Sequence, residues 1–196
     1  MSHIIDYILK MLPYMFFSLP FLAVFRIVSN IRMKKHSIKN TVFHELGVCI
    51  FSLFSVGLAS ITAIPKFQFG NVSFGVVNGF GGINLIPFTV FVQTYSEVFR
   101  YGNISYFLIN FLGNIIIFMP FGFFIPLLWQ KISFGKTVFI TFCITLFIES
   151  AQLLQPRGSD VDDLWLNVLG GILGYVCYKF LSLKFPEFCD KFKIKN

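Results

Sequence analysis

Apolar residues run through this chain in five blocks, each about as long as a membrane is thick, with polar residues gathered between them. The blocks are Tyr7–Val28, Phe43–Ile64, Ile104–Leu128, Thr137–Leu154 and Asp163–Leu181. A helix needs about 20 apolar residues to cross a bilayer, so each block predicts one transmembrane helix. Pro13 and Pro20 in the first, and Pro120 and Pro126 in the third, predict kinks. Arg26, near the end of the first helix, is expected to snorkel to the headgroups. The predicted fold is an all-α integral membrane protein of about five transmembrane helices.

A long loop, Pro65–Asn103, separates helices two and three. Phe67–Phe74 reads as a hairpin turning at a Gly-Asn pair. Asn78–Gly82 is a loop with residues suited to positive φ. Phe88, Phe91, Val92, Tyr95, Val98 and Phe99 then recur at helical spacing. That segment lies in the membrane interface or packs on the helix bundle, and its pattern alone does not separate the two. The chain shows no internal repeat and no low-complexity segment.

Composition supports the membrane reading. Of 196 residues, 56% are hydrophobic and 13% charged, 28 are Phe, and the mean hydropathy is +0.75. A water-facing surface built from such residues would aggregate. The net charge is +7, but the basic residues flank apolar blocks and form no stripe, so nucleic acid is not expected as a partner. Arg32, Lys34, Lys35 and Lys39 fill the first loop, Lys131 and Lys136 the third, and Lys184, Lys191, Lys193 and Lys195 the tail. With five helices these three segments share one side, and the positive-inside rule makes that side cytoplasmic. The N-terminus, the long loop and the loop Gln155–Asp162 then face outward. The first helix is too long for a cleavable signal peptide, and its basic run follows rather than precedes it. Cys49, Cys143, Cys177 and Cys189 have neither disulfide nor metal spacing.

Candidate chemistry concentrates in Glu149–Gly174. Glu149 and Gln152 are three apart and share a face. Asp163, Asn167, Gly170 and Gly174 fall at i, i+4, i+7 and i+11, a narrow stripe at about 100° per residue. Arg157 and Asp160 sit in the turn between the last two helices. Ionisable groups near the membrane interior are costly, so their convergence points to a functional cluster. Each residue also has a structural role open to it. Asp160 is a candidate N-cap with Asp163 as its N3 partner. Gly170 and Gly174 form a GxxxG packing pattern. Arg157 is a candidate ion-pair partner for Glu149 or an aspartate.

Asn110, Gly113 and Asn114 share a face of helix three, and their amides can bond across helices. Asn84, before Pro87, is placed to close the site from the long loop, or to serve as a turn residue. His44 and Glu45 at the start of helix two read as interface anchors or cap partners; His3 and His36 read as solvated. Asp160, Asp162 and Asp163 look like part of an oxygen-ligand cation site, but without the EF-hand glycine and final glutamate no metal site is expected. There is no Walker loop, HExxH, GxSxG or zinc set, and no cofactor is named by the sequence.

This stretch resembles the VanZ-like family of membrane proteins. The resemblance rests on Glu149, Gln152, Arg157, Asp160, Asp163, Asn167, Gly170 and Gly174, on Asn84–Phe88, and on Asn114 followed by Phe118–Gly122. It covers roughly residues 80–175. It implies a single multi-pass domain, 1–196, in the bacterial cell membrane, mostly of Gram-positive organisms. It also implies reduced susceptibility to teicoplanin-type lipoglycopeptides.

Three functions compete. In the first, a non-enzymatic factor binds an outer-leaflet lipid or lipid-linked cell-wall precursor through Asn84, Asn114, Glu149, Gln152, Arg157, Asp160, Asp163 and Asn167. In the second, an embedded enzyme acts on a lipid-linked glycan or phospholipid, with Glu149 or Asp163 as general acid or base and Arg157 steadying negative charge. The third is a transporter, which needs a polar path that helix five, apolar beyond Asn167, does not supply.

Overall fold

The computed structural model describes residues 2–35, 40–63, 67–69, 74–76, 82–153 and 159–194. Its elements, in chain order, begin with helices α1 (Ser2–Lys35) and α2 (Val42–Thr62). Short strands β1 (Phe67–Phe69), β2 (Phe74–Val76) and β3 (Ile83–Asn84) follow, then α3 (Thr89–Tyr95) and a π-helical turn, Ser96–Arg100. Next come α4 (Ile104–Tyr106), a second π-helical turn (Phe107–Leu112), α5 (Gly113–Leu128), α6 (Phe134–Gln152), β4 (Ser159–Asp160), α7 (Val161–Lys184) and α8 (Pro186–Asp190).

Five helical stretches are long and apolar enough to cross a membrane: Leu9–Lys34, Val42–Thr62, Ile104–Leu128, Phe134–Gln152 and Val161–Lys184. The chain is thus a multi-pass membrane protein by its spans. Helix α1 runs unbroken through Pro13 and Pro20, and α5 through Pro120 and Pro126. The expected hairpin is present as β1 and β2, paired antiparallel with Gln68 opposite Gly75. Its Gly70-Asn71 turn, and all of 78–82 except Gly82, lie outside the described residues.

The bundle is held most tightly where α5 crosses α7. A Cβ on Gly122 would collide with the Gly171 carbonyl, one on Gly170 with the Ile115 carbonyl, and one on Gly174 with the Met119 carbonyl. Glycine here lets two backbones touch, the packing use of small residues in membranes. Leu58, Phe118, Phe121, Ile125 and Ile148 fill the core between α2, α5 and α6. Val90, Ile115 and Leu166 form a second cluster that ties α3 to α5 and α7. Helix α1 packs chiefly on α2 and buries none of its apolar window.

At the lysine-rich end, three basic segments meet. The His44 ring Nδ1 lies 2.8 Å from the Phe192 carbonyl, and Gln130 Nε2 donates to the Ile194 carbonyl at 2.6 Å. Thr41 caps α2 by accepting from the His44 N–H at 3.1 Å. His44 is therefore a latch for the tail rather than a headgroup anchor. Arg26 has a protein partner at this end. Its guanidinium makes a two-pronged pair with Glu45, at 2.9 and 2.6 Å. Such fork-to-carboxylate pairs are among the stronger charge-assisted contacts, and Asn40 adds a further donor to the same carboxylate at 2.6 Å. All four cysteines are free. His36 lies outside the described residues.

Candidate functional site

The site is assembled at the end of the bundle opposite the lysines. It starts from the N-terminus of α7. Asp160 is the N-cap, as its spacing predicts: its carboxylate accepts the Asp162 N–H at 2.9 Å. Its own N–H donates to Glu149 Oε2 at 3.1 Å, and Ser159 Oγ donates to the same oxygen at 2.9 Å. The α6 carboxylate thus takes the place in the cap that Asp163 was expected to hold, and it anchors the start of α7 from below. Glu149 and Gln152 are both buried.

The long loop is stitched on by a parallel bridge that sets Ile83 opposite Ser159 and Asn84 opposite Asp160. The Asn84 amide donates to Asp160 Oδ2 at 3.1 Å and to Thr89 Oγ1 at 2.8 Å, while its carbonyl oxygen accepts the Ile86 N–H. Asn84 therefore does both things expected of it, closing the site and forming a turn.

The sequence offers Asp162 only as part of an oxygen-ligand group, and the structure gives it other work. Its carboxylate accepts from the Phe88 N–H (2.6 Å), the Val90 N–H (2.7 Å), Thr89 Oγ1 (2.8 Å) and Trp165 Nε1 (2.8 Å). It caps α3 from another helix. Phe88, in the left-handed region at φ 67°, has no side-chain oxygen with which to cap α3 itself. The i, i+3 spacing of Asp162 and Trp165 was the available signal.

Asp163 bonds to Asn114 on α5. Asn167 donates to Thr145 Oγ1 on α6 at 2.7 Å. The predicted stripe is thus shared between neighbours: Asp163, Gly170 and Gly174 face α5, and Asn167 faces α6. Below Thr145, Thr141 and Thr137 continue a buried column on α6. Their hydroxyls donate to the carbonyls of Thr137 and Ser133, so they are spent on their own helix.

Between these elements lies an open cleft of about 480 Å³. Asn84, Gln93, Tyr106, Asn110, Asp160, Asp162 and Asp163 line it. The Tyr106 hydroxyl donates to Gln93 Oε1 at 2.6 Å. From the sequence Gln93 reads only as a water-facing residue of the Phe88–Phe99 segment, and Tyr106, inside the third apolar block, gives no signal of its own. The described lining holds three carboxylates and no Lys or Arg. Arg157 lies outside the described residues. Glu149, Gln152 and Asn167 are buried behind the cleft and do not line it. Among the described residues, no set of three His, Cys, Asp or Glu is grouped to hold a metal ion, and the three aspartates point at different partners.

The family model described as VanZ/LLP1 matches residues 51–182, which take in most of α2 and the whole site. The chain belongs to the VanZ/LLP1 family. The match extends the resemblance read from residues 80–175 toward both termini and leaves α1 outside. No curated protein and no solved structure matches the chain. In this VanZ/LLP1 protein, among the described motif residues, Asn84, Asp160 and Asp163 face the cleft, Glu149, Gln152, Asn167 and the glycines support it, and Asn114, outside the lining, holds Asp163.

Proposed function

We propose that the cleft holds the polar head of an outer-leaflet lipid or lipid-linked cell-wall precursor, and that the protein thereby lowers susceptibility to teicoplanin-type lipoglycopeptides. The observation that carries this reading is the pairing of the cleft with an apolar ledge. Leu85, Ile86, Phe88, Val92, Tyr95 and Phe99 are all exposed beside it. A polar hollow edged by apolar side chains suits an amphipathic ligand. Carboxylates and amides suit a head rich in hydroxyl and amide groups, and Arg157 is the candidate partner for an accompanying phosphate. The basic segments gathered at the other end support an outward-facing cleft, by the positive-inside rule.

An enzyme working through Glu149, Asp163 and Arg157 is the weaker reading. Glu149 is buried behind the cleft and already accepts from Ser159 and the Asp160 N–H.

The test is teicoplanin susceptibility in a sensitive Gram-positive host carrying empty vector, wild type or Asp163→Asn, at matched membrane levels. Wild type is expected to protect, and Asp163→Asn to lose most of that protection. An unprotective wild type would remove resistance from the reading. Full protection by the variant would take Asp163 out of it.

A further inference from the structure

A second hollow, of about 470 Å³, shares no lining residue with the cleft and lies between α2, α5 and α6. Phe51, Leu58, Phe121, Ile140, Ile144 and Ile148 are among its walls. Its hydroxyl-bearing residue, Ser55, is satisfied by donating to the Phe51 carbonyl at 2.8 Å. The hollow is set within the spans and opens where α2 and α6 touch only sparingly. Its surroundings are therefore hydrocarbon, with no water at that depth to fill it.

Size and charge narrow the occupant. A helix with its side chains is about 10 Å across, so this volume would admit only about one turn of it. An alkyl chain is far thinner and fits lengthwise. Ile140, Ile144 and Ile148 recur at every fourth position of α6, and Lys136 continues that row one turn lower. Lys131 stands between Trp129 and Ile132, which also line the hollow. Both lysines are exposed, and the segment from Trp129 to Lys136 contains no acidic residue. The foot of an apolar groove thus carries two cations.

We propose that this groove holds one acyl chain of an anionic phospholipid whose phosphate sits at Lys131 and Lys136. The site is separate from the cleft and stands or falls without it. Lysines at a membrane surface attract anionic headgroups, and the groove adds a contact for the chain that a free surface lacks.

Purified full-length protein in detergent, titrated with phosphatidylglycerol and with phosphatidylcholine of the same acyl chains and read by native mass spectrometry, tests this. Phosphatidylglycerol is expected to bind about thirtyfold more tightly, from two basic side chains. The pair Lys131→Gln and Lys136→Gln should bring the two lipids to parity. Ile144→Trp should displace both lipids by filling the groove. Ala59→Phe, from the opposite wall, should do the same, and helical content checks that each variant is folded. The proposal fails if wild type binds the two lipids equally, or if either folded filler variant keeps wild-type lipid binding. It also fails if the protein runs as a dimer that Ile144→Trp disperses, since the groove would then hold a second copy.

Discussion

Asp160, Asp162 and Asp163 are near neighbours in the chain, yet their carboxylates serve different partners. Asp160 caps its own helix, Asp162 holds α3, and Asp163 reaches α5 beside the cleft. Asp162→Ala would leave the N–H groups of Phe88, Val90 and Trp165 without their acceptor. Each such loss in a buried place costs about 1–3 kcal/mol, so the variant should lose about 3–5 kcal/mol and much of its folded yield. Asp163→Asn keeps an oxygen facing Asn114 and should cost under about 1 kcal/mol. Thermal unfolding of the two variants in detergent checks the contrast; equal losses would erase the division between support and cleft. The cap at Asp160 was legible because capping is local. The role of Asp162 was not, because its partners lie 72 to 74 residues upstream.

Helices were legible as apolar blocks, and their ends were not. Helix α1 was expected over Tyr7–Val28 and covers Ser2–Lys35, because backbone hydrogen bonding continues where hydropathy stops. The contact of α5 with α7 was half legible. Gly170 and Gly174 announce a packing face, but Gly122, the residue facing them, was noted only within Phe118–Gly122. The three do not tolerate a methyl group. Gly122→Ala should force the helices apart and cost about 1–3 kcal/mol or more. Gly135, in the first turn of α6, has nothing near its would-be Cβ, and Gly135→Ala should stabilise by up to about 1 kcal/mol. Unfolding temperatures of this pair measure the difference, and an indifferent Gly122→Ala would deny the close approach. The threonine column of α6 escaped notice because moderately polar residues at every fourth position scarcely change the hydropathy of a span.

For the molecule as a whole, opposed ends are the organising fact. The lysine-rich segments are bonded to one another at one end, through His44 and Gln130, and the three carboxylates of the cleft lie at the other. The odd number of spans and the basic loops made that polarity readable in advance. A membrane-impermeant thiol reagent applied from outside should label Ser159→Cys and spare Lys35→Cys, in a chain whose own cysteines are replaced. The reverse pattern would turn the molecule over and put the cleft in the cytoplasm. What the chain did not reveal is which spans matter most. Helix α1 is the most peripheral, touching chiefly α2, and the family match begins after it, at residue 51.

The bonds from Asp162 to Phe88, Thr89 and Val90 also set a schedule. A ribosome that has just made Val90 must add 72 more residues before the acceptor exists. At about 5–20 residues per second that takes about 4–14 seconds. Through that interval the apolar ledge waits with its α3 cap unmade. The cleft is finished only when the fifth span arrives, so a chain cut short before α7 would insert four spans and own no site.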